Sequence, residues 1–94
     1  MKNLPMHPDL LKLIASLSRI LCILDRYDEP FWFDRIAKVK RIAENSDGHS
    51  IELFLSFYRG MGSFNDLVLR APNSANDMLY KERIRAYELA RKLR

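Results

Sequence analysis

Leu10, Leu13, Ile14, Leu17, Ile20, Leu21 and Leu24 recur at the three- and four-residue spacing of a buried helical face. Leu11, Cys22 and Ile23 fall off that stripe, so this first helix is apolar on more than one side and is expected to lie centrally in a bundle. Asp9, after Pro8, is placed to cap its free amides, and Asp25-Arg26-Tyr27-Asp28-Glu29-Pro30 should end it, because Pro disfavours helical geometry in the residue before it. A second helix is predicted from Pro30, with Trp32, Ile36, Val39 and Ala43 on one face and Asp34, Lys38 and Arg41 opposite. Asn45-Ser46-Asp47-Gly48 reads as a turn in which Gly48 supplies the left-handed residue. Ser50 can cap a third helix carrying Ile51, Leu53, Phe54, Leu55, Phe57 and Tyr58, which leaves only Glu52, Ser56 and Arg59 to meet water. A fourth helix is expected from about Asp77 to Lys92, with Leu79, Ala86, Leu89, Ala90 and Leu93 inward and Lys81, Arg85, Glu88 and Lys92 outward.

Between the third and fourth helices lies Gly60-Met61-Gly62-Ser63-Phe64-Asn65-Asp66-Leu67. Two Gly so close together imply positive φ or a close backbone approach, and Ser63 with Asp66 has the spacing of a capping box. The pattern predicts an all-α fold: one domain over residues 1–94, a small bundle of about four helices with a Gly-rich loop before the last.

Composition narrows the function classes. The chain has 94 residues, 48% of them hydrophobic and 30% charged, the balance of an ordinary globular protein. With three Gly it has no Gly-rich phosphate loop. The lone Cys22 excludes an internal disulfide and a paired-cysteine metal or redox motif, and its apolar surroundings predict a buried, inert thiol. Met1-Lys2-Asn3-Leu4-Pro5 has no secretory hydrophobic core behind it, and the apolar run from Leu10 to Leu24 is too short and too polar to span a bilayer, so a cytoplasmic protein is expected. His7 and His49 lack a partner at metal-ligand spacing, and no nucleophile motif is present. Neither a metal, a cofactor nor an enzymatic activity is therefore expected.

The net charge of +4 is unevenly spread. Asp25, Asp28, Glu29 and Asp34 cluster around one helix–helix elbow. Capping and solvation account for them; the sharper alternative is an acidic patch for a basic protein partner. Basic residues gather at Arg35, Lys38, Lys40 and Arg41 on the second helix and at Arg83, Arg85, Arg91, Lys92 and Arg94 on the fourth. If those helices were adjacent they could contact phosphates, although the aromatics fall on core stripes rather than among the charges. Asn65 and Asp66 either stabilise a turn or form a polar recognition hook.

The segment Gly60-Met61-Gly62-Ser63-Phe64-Asn65-Asp66-Leu67-Val68-Leu69 resembles a family of short bacterial helical proteins bearing a GGMGS[FL]NDL motif. The hydrophobic helix Ile51–Tyr58 before it and the closing segment Tyr87–Leu93 also fit, so the likeness spans residues 20–94 and is specific across 60–69. Arg59-Gly60 stands where the family more often has Gly-Gly. The resemblance implies a toxin-neutralising immunity protein of contact-dependent competition systems, whose partner is a cognate protein toxin, a nuclease among the candidates. An inhibitor of a basic toxin would need a local acidic face, which the elbow from Asp25 to Asp34 could supply. The alternative is a small nucleic-acid-binding or regulatory module working through its basic helices.

Overall fold

The computed structural model describes residues 7–60 and 62–94. Four helices account for most of them: α1 (Pro8–Arg26), α2 (Pro30–Glu44), α3 (His49–Ser56) and α4 (Asn73–Leu93). A single 3-10 turn, Phe64–Asp66, sits in the connection between α3 and α4. The helices pack in a cycle: α1 lies against both α2 and α4, and α3 closes the other side against the same two. Leu13, Leu17, Ile20 and Leu24 of α1 are fully buried in this core with Ile36, Val39, Phe54, Phe64 and Leu79. Trp32, Ile36, Val39 and Ala43 form the buried face of α2 that their spacing predicts. Having two neighbours, α1 buries Ile23 off its main stripe as well.

The helix ends follow different chemistry from that expected. At the start of α1 it is His7, not Asp9, that caps: its Nδ1 accepts from the Asp9 amide at 3.0 Å. Both α1 and α2 then end in Schellman turns built on non-glycine residues. The Glu29 and Asp28 amides donate to the carbonyls of Leu24 and Asp25, with Asp28 at φ 55°. The Asp47 and Ser46 amides donate to Ile42 and Ala43, with Ser46 at φ 57°. Gly48 is right-handed (φ −61°) and starts α3, so the left-handed position falls on Ser46 instead. Ser50 does not cap α3 either. Asp47 does, its Oδ1 accepting from the His49 amide at 2.9 Å while the Ser50 hydroxyl donates to the Asp47 carbonyl.

Cys22 is exposed, contrary to its expected burial, because α1 turns Leu13, Leu17, Ile20 and Leu24 inward and position 22 faces away from them. The fourth helix starts at Asn73, four residues before the expected Asp77. Its polar opening is wound into helix because Ala75 is buried and because Asn76 is held by the preceding loop. Leu69 donates to Asn76 Oδ1 at 2.8 Å, and Asn76 Nδ2 donates back to the Leu69 carbonyl at 3.1 Å. A side-chain amide thus serves Leu69 as a neighbouring strand would.

Candidate functional site

Two regions singled out by sequence come into focus, the Gly-rich loop and the acidic elbow. In the loop, Gly60 and Gly62 both take the left-handed conformation (φ 79° and 72°) that their spacing predicts. Met61 lies outside the described residues. Ser63 is buried and makes no capping bond; Asp66 reaches past it, its Oδ2 accepting from the Gly62 amide at 3.0 Å. The expected capping box is therefore replaced by a carboxylate–amide closure one residue further back. Phe64 is fully buried, with ring centroids 5.2 Å from Trp32 and 5.8 Å from Tyr58, and its amide donates to the Phe57 carbonyl at 2.8 Å. Asn65 is exposed.

What holds this loop is Arg83, a residue that the charge pattern had assigned to a basic surface. It is buried, and the two hydrogens of its Nη1 reach the carbonyls of Phe64 (2.8 Å) and Leu67 (2.7 Å). Its own carbonyl accepts from the Tyr58 hydroxyl at 2.8 Å. Burial lowers the Arg83 pKa from its usual value, against the favourable charges of Tyr58, Asp66 and Tyr80. Burial also raises the Tyr58 pKa, against the pull of Arg83. The sequence carried a usable signal: position 83 lies four after Leu79 and three before Ala86, within the buried stripe of α4. Most of the Gly-rich motif thus builds a plug for the aromatic core.

The elbow is arranged differently. Asp25, Asp28, Glu29 and Asp34 all line one small depression of about 100 Å³, floored by Leu24, Pro30 and Phe33. Asp25, Asp28 and Asp34 are exposed, and none of the four joins an ion pair among the described residues. Glu29 has a structural task as well, since its Oε2 accepts from the Trp32 amide at the start of α2 (3.4 Å). Phe31, one turn before Asp34 on the same helix, is 53% exposed. The Arg35 guanidinium stacks over its ring at 3.6 Å.

Residues 25–77, more than half of the chain, match the family model described as "Domain of unknown function (DUF6966)". The chain belongs to the DUF6966 family. The matched span opens on the elbow and contains the whole Gly-rich loop, while Arg83 lies beyond it. No curated protein and no solved structure matches the chain.

The basic residues of the DUF6966 chain do not form a common surface across α2 and α4. Those helices stand diagonally in the cycle, each packed on α1 and α3, and Arg83 is turned inward. Among the described residues no group of three or more His, Cys, Asp or Glu is gathered as a metal site, and no helix is long and apolar enough to cross a membrane.

Proposed function

We propose that this DUF6966 chain is a toxin-neutralising immunity protein that binds a basic face of a cognate bacterial toxin domain and performs no chemistry of its own. The observation that carries the reading is the set of four carboxylates around one depression, free of ion pairs among the described residues, with Phe31 exposed on the same helix as Asp34. Unpaired surface charge of one sign speeds encounter with an oppositely charged partner, and an exposed aromatic supplies contact area once docked. A nucleic-acid module working through α2 and α4 fits less well, because those helices are not neighbours in the cycle and Arg83 is buried.

The test uses candidate toxin domains sought among the genes neighbouring this chain's own, with growth protection on co-expression and association kinetics as readouts. Asp28→Gly removes a charge while relaxing the backbone. It should leave the melting temperature equal or higher and slow association several-fold. Asp25→Lys with Asp34→Lys should slow it further and weaken protection, with helicity retained. Full protection and unchanged association in the combined variant would remove the elbow from the mechanism, and failure of the parent chain to bind or protect would overturn the function.

A further inference from the structure

A long groove runs between α1 and α4, touching the acidic elbow at Asp25, and it has two compartments of different chemistry. The first, of about 430 Å³, is lined by Lys12 and Arg19 from α1 and by Arg85 and Lys92 from α4, over a floor of Ala15 and Leu89. The second, of about 650 Å³, is apolar over most of its surface, with Cys22, Ile23, Tyr27, Ala75 and Met78 among its walls and Asp25, Arg26 and Glu82 also lining it. Arg19 lines both, so the compartments meet at its side chain. Met78 is 57% exposed and Cys22 is exposed, leaving the apolar half open to a ligand.

The cations of the first compartment are only partly answered by the protein. Arg19 donates from Nε to Glu82 at 2.8 Å, and Lys92 stands 3.6 Å from Asp9. Lys12 and Arg85 join no ion pair among the described residues, and Glu88 is the single carboxylate in the lining. Positive charge of this density in a concave site favours a compact polyanion. Asp9 and Glu82 flank the cations and Glu88 stands among them, so the positive region is short. A nucleic-acid strand running along the groove would meet all three carboxylates, whereas a small anion in the first compartment would meet Glu88 alone. Both volumes fall in the range of small-molecule sites.

The geometry points to a binding site for an organic diphosphate, its phosphates held among Lys12, Arg19, Arg85 and Lys92 and its organic moiety lying past Arg19 against Ile23, Tyr27 and Met78. The site does not rest on the inhibitor reading; it shares only Asp25 with the acidic elbow, and its test variants leave that residue unchanged. Nucleotides and isoprenoid diphosphates share this chemistry, and the two are separated by the probes.

Calorimetric titration of the full chain with inorganic pyrophosphate, ADP and geranyl diphosphate tests the assignment. At least one of the organic diphosphates should bind at least tenfold more tightly than pyrophosphate, and the tighter one identifies the organic moiety. Lys12→Gln with Arg85→Gln should weaken that binding tenfold or more, and Lys12→Gln alone should weaken it measurably. Lys81→Gln, outside both compartments, should leave it within twofold. The bound ligand should also slow alkylation of Cys22 several-fold, which pyrophosphate should not do. Absence of saturable binding, equal affinity for pyrophosphate, indifference to the Lys12 and Arg85 changes, unprotected Cys22, or tighter binding of a single-stranded oligonucleotide would each overturn the proposal.

Discussion

Replacing Arg83 by Met keeps a side chain of comparable length in the core and removes both hydrogen bonds to the loop. Hydrogen bonds from a charged donor contribute roughly 1.5–3 kcal/mol each, so the two bonds to Phe64 and Leu67 set a gross loss of about 3–6 kcal/mol. Two effects reduce it. The Phe64 carbonyl also accepts from the Leu67 amide and so is not left bare. A buried cation whose Nε has no hydrogen-bond partner among the described residues carries a desolvation cost that Met does not. The net expectation is a loss of about 2–3 kcal/mol, or roughly 10–20 °C in melting temperature for a domain of this size. Urea unfolding followed by circular dichroism gives the free energy. Near-ultraviolet circular dichroism follows the packing of Trp32 and Tyr58 on Phe64, which should loosen first. Arg83→Lys, with an ammonium that can keep one bond, should fall between Met and the parent. Stability of Arg83→Met within about 0.5 kcal/mol of the parent would refute the clamp and return Arg83 to the ordinary solvated charges.

The loop and the α1–α4 contact give two further tests. Gly62→Ala should cost about 1–2 kcal/mol, from backbone conformation alone because a Cβ there meets no atom within 4 Å; Ser63→Ala should cost under about 0.5 kcal/mol, since Ser63 makes no cap bond, and a larger loss in urea would restore its capping role. Glu82 accepts from Ser16 (2.7 Å) and Arg19 (2.8 Å); although burial opposes ionisation, these bonds and the charges of Arg19 and Arg85 hold its carboxyl below the usual value near 4.5. The stability it supplies is therefore complete above that value and lost as pH falls through the lower folded one, so Glu82→Gln should flatten the acid limb of melting temperature against pH, and an unchanged limb would refute the linkage.

The parts of this structure that were legible in advance are those governed by local pattern. Trp32, Ile36, Val39 and Ala43 face inward because spacing on a helix decides it, and the four elbow carboxylates meet because ten residues of chain bring them there. Two glycines in so short a span read as positive φ or close backbone approach, and both Gly60 and Gly62 take the first, with open space where a Cβ would stand. The misjudged residues answer to partners distant in sequence or to competing caps. Asn73 and Ser74 look like loop until Asn76 is seen holding Leu69, and Arg83 looks like solvent-facing charge until Phe64 and Leu67 offer it carbonyls. Ser46 took the left-handed position because α2 ended two residues before Gly48 could serve as its cap. The α1–α4 groove was out of reach altogether, since Lys12 and Lys92 stand at opposite ends of the chain.

The two tethers on the Gly-rich loop decide which stretch of this chain can travel as a unit. Asn76 lies inside the span that matches the family model and Arg83 lies outside it. A fragment cut after residue 77 would carry the recognisable motif complete and leave its fastener behind. The Phe64 plug would keep its amide bond to Phe57 but lose the arginine on its own carbonyl, and the side of the aromatic cluster that faces α4 would open to water. Any graft of this motif onto another scaffold must bring along a helix that presents an arginine to the carbonyls of residues 64 and 67; without it, the letters of the motif are transplanted and its shape is not.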